Sequence, residues 1–374
     1  MTNSPDLASF RGFFLDELEA RTDEVARCGR MPADLMARVA EIGALAMTAP
    51  RELGGLGLSV RQFLPFLEVA AQGPAVGRML VHVANGLWRP ISRHGSPAQQ
   101  ELISAAGRGE VVIALGVTEP AGGSGKDLRS VAVPASADMW RLSGEKHLIT
   151  WAQHADWFII LAGAGELGGS DAAPKLTTFL VPQGAPGLTV EAQPLMGLDG
   201  IGVGRVIMSD VEVGRTDLLG GVGDGMTVLA TFLDYSRISL SGCMVGVGQR
   251  ALDEAVRFAR ERVTFGKPLG ERQAIQTKLA DMYAKLSAAR ALTESLARQY
   301  DEGTVQDIDT AAAKMFCAEA VNDITDTALR IHGGLGYTTA RPIERIYRDA
   351  RAFLFEEGTA EIQQLLIARR LLRG

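Results

Sequence analysis

Two short segments carry residues able to do chemistry. The first, Val117 to Lys126, reads Val-Thr-Glu-Pro-Ala-Gly-Gly-Ser-Gly-Lys. Its two hydroxyls and three glycines can offer several backbone N–H groups to an anion or a heteroaromatic edge, because glycine lets the backbone approach closely. The second is Glu356-Glu357-Gly358-Thr359, between Phe355 and a helix-like run from Ile362 to Leu371. A carboxylate at such a junction, with apolar residues before it, can be desolvated and made ready to abstract a proton. The same residues also suit a helix N-terminal acid set against the dipole.

Other patterns carry less. Gly163, Gly165 and Gly168 follow a strand-like run but precede no helix, so a flexible loop is expected at Gly163 to Ala173. Gly246, Gly248 and Ala251 lie inside a helical stretch and predict a close helix contact. The chain has no Gly-x-Ser-x-Gly elbow, Walker loop or His-Glu-x-x-His, which removes the readiest hydrolase, nucleotide hydrolase and metalloprotease readings. His82, His94, His147, His154 and His332 show no i, i+4 pairing and no metal-site motif, so no metal is expected.

Three regions must position the reactive segments. Residues 1-110 are helical in pattern, with Leu35, Val39, Ile42 and Leu45 on one face, a helix start at Pro32 and Asp34, and a turn at Glu52 to Gly57. Residues 111-222 change to strand-like runs: Val111 to Leu115, Trp157 to Leu161, Thr177 to Val181, Leu188 to Glu191 and Arg205 to Val213. These predict a small antiparallel barrel or sandwich. Residues 223-374 return to helical spacing, with Ile275, Leu279, Met282, Leu286, Ala289, Leu292 and Leu296 marking a long amphipathic helix. The fold class expected is α+β, in the order helices, β-domain, helical bundle.

The chain has 374 residues, 47% of them hydrophobic, and a formal charge of −6. That balance gives no electrostatic reason to bind nucleic acid or anionic membrane, and no apolar run reaches the length of a bilayer span. Cys28, Cys243 and Cys317 are far apart and unpaired in pattern; buried free thiols, a reducing compartment and a cytoplasmic location are expected.

Several ordered blocks resemble the acyl-CoA dehydrogenases along essentially the whole chain. They are Val-Thr-Glu-Pro-x-x-Gly-Ser at 117–124, Gly-x-Lys-x-x-Ile-Thr at 144–150, Glu-Arg-x-x-Phe-Gly-Lys-Pro at 261–268, Leu-Ala-Asp-Met at 279–282, Gly-Gly-x-Gly-Tyr at 333–337, Arg-x-x-Arg-Asp at 345–349 and Glu-Gly-Thr-x-Glu-Ile-Gln at 357–363. The resemblance implies an N-terminal helical domain, a middle β-domain and a C-terminal four-helix bundle, assembled as a homotetramer. It also implies FAD between the last two domains, completed by a neighbouring subunit.

The resemblance further implies α,β-dehydrogenation of an acyl thioester, on CoA or an acyl-carrier protein. Glu357 is then the base, a hydride goes to the flavin, and an electron-transferring flavoprotein takes the electrons. Val117, Thr118 and Thr150 approach the isoalloxazine, and Ser124 the pyrophosphate. Arg262, Phe265 and Gln273 reach FAD across a dimer, Arg330 and Gly334 lie by its adenine end, and Thr359 and Glu361 touch it after the base. Asp234 and Arg237 hold the carrier arm, and Ser124, Glu356 and Gly358 line the substrate. An oxidase or hydroxylase on the same fold is the alternative.

The chain departs from the family pattern at Gly125, Leu148, Trp151, Arg330 and Glu356. Glu356 stands where an aromatic or apolar residue usually faces the acyl chain. A second acid there predicts a short, polar or branched acyl group, unless it turns outward to solvent.

Overall fold

The computed structural model describes residues 6–122, 128–165 and 175–373. The N-terminal helices are α1 (Leu7–Gly12), α2 (Leu18–Ala20), α3 (Thr22–Cys28), α4 (Ala33–Glu41), α5 (Val60–Gln72), α6 (Ala75–His94) and α7 (Pro97–Gly107). Ser59 and Ser96 open α5 and α7 with reciprocal side-chain and backbone caps from Gln62 and Gln99, satisfying N–H groups that a helix start leaves free. The stripe predicted from Leu35 and Val39 is buried, although the helix ends at Glu41 and Ile42 begins a turn.

The middle region is a sheet of β1 (Ile113–Gly116), β2 (Val131–Ser136), β3 (Met139–Ile149), β4 (Trp157–Ala164), β5 (Lys175–Pro182), β6 (Leu188–Ala192), β7 (Gly204–Gly214) and β8 (Leu218–Leu219). Its order is β6-β7-β3-β2-β4-β5-β8, with β1 paired to β4 off this path. Most neighbours are antiparallel as expected, but β1 and β2 both run parallel to β4, so the sheet is mixed. The hairpin of β2 and β3, Val131 opposite Ser143, is an addition to the strands read from apolar runs. Strand β3 alternates buried and exposed residues and so has no continuous apolar signature. Strand β4 is apolar throughout because helices cover its second face. There Ile159 packs with Leu87 and Ile91 of α6 and with Val228 and Phe232 of the next helix.

The C-terminal region holds α8 (Gly225–Glu261), α9 (Gln273–Asp301), α10 (Asp307–Ile331), α11 (Ile343–Arg351) and α12 (Ala360–Arg373). Helix α8, about 55 Å long at the usual rise, packs against α9, α10, α5 and α6 and so joins both helical regions. The close contact expected at Gly246 is present: a Cβ there would run into the Glu68 carbonyl of α5. At the end of α9, Asp301 accepts bonds from the Val60 and Arg61 N–H groups at 2.8 and 3.0 Å, capping α5 from another domain.

The Gly163 to Ala173 segment falls largely outside the described residues, as does Ser124. Cys243 and Cys317 are buried thiols, whereas Cys28 is exposed at the end of α3, correcting the expectation for that residue. Among the described residues no helix is long and apolar enough to cross a membrane.

Candidate active site

Between α11 and α12 the chain makes a sharp reversal. Phe353 is buried in the core; Glu357 and Gly358 then both take left-handed backbone conformations, at φ 55° and 95°. For glutamate that costs roughly 1–2 kcal/mol, so its surroundings must enforce it. Two buried side chains do so. Lys314 of α10 donates to the Gly358 carbonyl at 2.6 Å, and Gln363 of α12 donates to the Glu357 carbonyl at 2.8 Å.

The half-buried Glu357 carboxyl is pushed above its ordinary range chiefly by burial, with the Glu356 charge adding to it. The Ser236 hydroxyl, Arg237 and Lys314 act in the opposite direction. Lys314 itself is pulled down to about 8 by burial, against the attraction of Glu356, Glu357 and Glu361. A carboxylate raised by desolvation and flanked by two cations is suited to accept a proton.

Behind it lies a polar face of α6. His82 Nδ1 is 2.8 Å from the Ser239 hydroxyl and Nε2 is 3.4 Å from that of Ser236. Burial, reinforced by Arg78, lowers His82 to about 3, so it stays neutral. One turn earlier, the Arg78 guanidinium meets both oxygens of Glu356, at 3.2 and 3.3 Å. Glu356 therefore does not turn outward to solvent; a buried cation on another element occupies it.

A second group gathers at the ends of β1 and β3. Lys146 and Glu119 form a buried pair at 2.7 Å. Burial alone would raise the Glu119 carboxyl, but the Arg129 N–H, Lys146 and Ser130 hold it below its usual range. This pair anchors the turn that carries Val117 and Thr118, and the His147 N–H donates to the Thr118 carbonyl at 2.8 Å. Thr150 lies beside it, between the left-handed Leu148 and Trp151. Thr118 and Thr150 are half-buried, Leu148 is exposed and Trp151 is buried.

The remaining predicted residues divide. Glu356, Glu357, Gly358 and Thr359 form one turn, faced by Lys314 of α10 and by the charge of Arg237 of α8, while Asp234 is exposed on α8. Arg262, Phe265, Gln273, Arg330, Gly334 and Glu361 are exposed, Phe265 at 96% and with φ 49°. Sequence reading missed Arg78, His82, Ser236 and Lys314. Their signal was present, since Arg78 and His82 are polar residues at i, i+4 inside the apolar run of α6, on one face.

The chain matches, in succession, models of the acyl-CoA dehydrogenase N-terminal domain at residues 7–108, the middle domain at 114–211 and the C-terminal domain at 223–372. A 3-(aryl)acrylate reductase of Clostridium sporogenes is 34% identical over 368 residues, covering 97% of this chain and 96% of that one. The mitochondrial short-chain specific acyl-CoA dehydrogenase of Homo sapiens is 35% identical, covering 98% of this chain and 89% of that one. The solved structure of butyryl-CoA dehydrogenase from Megasphaera elsdenii superposes with a TM-score of 0.90 at 29% identity, covering 98% and 97% of the two chains.

Proposed function

The chain belongs to the acyl-CoA dehydrogenase family, whose members are FAD-dependent oxidoreductases, and on that premise we propose that Glu357 is the base that removes the α-proton of an acyl thioester. The observation that carries this reading is the strained, cation-flanked Glu357 turn. Only a residue whose carboxylate must stand at one spot repays such enforcement.

The residues present fit a flavin. Val117, Thr118 and Thr150 offer hydroxyl and backbone groups beside an apolar surface at the ends of β1 and β3, which suits the polar edge and flat face of a heteroaromatic ring. The exposed Arg262, Phe265 and Gln273 suit a second copy's cofactor, guanidinium to phosphate; this supports a homotetramer in which subunits complete one another's sites. Bound FAD supplies the two-electron acceptor for the β-hydrogen, which leaves as hydride.

The chain's own part is proton handling and orientation. The Glu357 carboxylate takes the α-proton, and the C–H electron pair becomes the new double bond. The Glu357 backbone N–H serves the thioester oxygen as negative charge develops there. Lys314 fixes the peptide that follows, and Ser236 orients the carboxylate. Asp234 and Arg237 hold the carrier arm of CoA. An electron-transferring flavoprotein is the proposed acceptor for the reduced enzyme. The name of the Clostridium relative favours a second reading, in which a protonated Glu357 delivers its proton to the α-carbon of an unsaturated acyl group and the hydride for the β-carbon comes from reduced FAD; microscopic reversibility gives the same residues both roles.

Glu357→Gln tests the assignment. The variant is expected to retain FAD while anaerobic addition of butyryl-CoA no longer bleaches the flavin. Bleaching at the rate of the unaltered protein would remove Glu357 from the mechanism.

A further inference from the structure

We infer that Arg78 is a positioning residue for the base, because its guanidinium holds and neutralises the carboxylate of Glu356 and so governs the charge that Glu357 meets. The inference rests on Glu357 being the base. Arg78 is 1% exposed, lies over the Phe353 ring at 4.2 Å and makes a two-pronged pair with a residue 278 positions away. A buried pair of this kind contributes little net stability compared with apolar side chains of the same shape. Its place, one peptide from the proton acceptor, gives it a chemical use instead.

With Arg78 in position, the acid at 356 is held in a two-pronged pair, and the charge by which it raises Glu357 is opposed by the guanidinium beside it. The polar acyl group expected from Glu356 alone is therefore not required. Removing either partner exposes the other's charge to Glu357 with opposite sign.

The groups around the pair do not mimic that signature. His82 of α6 and Cys243 of α8 stay neutral, at about 3 and about 12. Lys314 of α10, at about 8, titrates on the alkaline side. Arg237 of α8 faces the Glu357 carboxylate, and Glu361 of α12 is exposed and held below its usual range. Behind Arg78 a small cavity is lined by Arg250, Arg345 and Asp349. The Asp349 carboxyl is raised by burial but accepts the Leu198 N–H at 2.7 Å.

The test uses FAD-loaded protein and the acid limb of the pH profile for anaerobic flavin bleaching by butyryl-CoA. It also follows the protonated-carboxyl infrared band that Glu357→Gln abolishes. Arg78→Met is expected to move the limb and the band titration up by about one pH unit, and Glu356→Gln to move both down by a similar amount. The double variant is expected to return to within a few tenths of a unit of the unaltered protein, and Arg78→Lys to lie near it. Equal losses of rate with an unmoved limb, or a double variant no nearer the original than the singles, overturn the inference. If Arg78→Met does not fold, Glu356→Gln alone carries the sign. Bleaching that persists in Glu357→Gln removes the base assignment; an inert Glu357→Gln with a fixed limb removes only the role of Arg78.

Discussion

Replacing Lys314 by methionine separates chemical from structural demand at the turn. Lys314 is 1% exposed, and its lowering from 10.5 to about 8 by burial corresponds to roughly 3 kcal/mol against the charged, folded form. The charge-assisted bond to the Gly358 carbonyl returns about 1.5–3 kcal/mol, so the two nearly cancel at neutral pH. Because the unfolded chain holds this proton more tightly, stability of the unaltered protein rises as pH climbs from about 8 to 10.5. The methionine variant should lose that rise while its midpoint in urea at pH 7 changes by less than about 1 kcal/mol equivalent. Activity should respond far more. Loss of the cation raises Glu357, since Lys314 is one of the groups holding it down, and the slackened turn misplaces the carboxylate. A fall of about ten- to a hundredfold in bleaching rate near pH 6.5 is expected, with the acid limb displaced upward. A variant several kcal/mol less stable with an unchanged limb would refute this reasoning and make Lys314 a structural tether.

Ser236→Ala removes a hydroxyl that lowers Glu357, so the acid limb should move up by a few tenths of a unit to about one unit while FAD absorbance is retained. Gly358→Ala sets a Cβ at φ 95° and 2.9 Å from Gln363 Nε2; a destabilisation of about 1–2 kcal/mol in denaturant melts is expected, with bleaching nearly lost. Lys146→Met strands the buried Glu119 carboxylate, and a loss of about 3–5 kcal/mol, together with weakened FAD retention on gel filtration, is expected.

The order of the three regions was legible because period and composition change where the backbone changes. Leu35 and Val39, or Ile275 through Leu296, read as helix because one face is buried and the other wet. Strand β4 read as a strand because it is apolar throughout. The β2–β3 hairpin did not, since Pro134 and the outward charges of β3 break any apolar run, and only cross-strand pairing with β7 makes sense of them.

For the site, the sequence by itself marked Glu357, Gly358 and Thr359 as a segment at a helix junction, because the change from apolar residues to a helix-like run is a local property of adjacent residues. It likewise marked the glycine-rich segment after β1, while Thr150 at the end of β3 stood out only through the family resemblance. Only the tertiary structure decided what those residues meet. Arg78, Ser236 and Lys314 lie on three separate helices and reach the turn through packing alone. The raised proton affinity of Glu357 and the pairing of Glu356 with Arg78 depend on burial and on charges a few ångströms away in space. A carboxylate's affinity for a proton is set by its surroundings in three dimensions, and no order of residues along the chain states it.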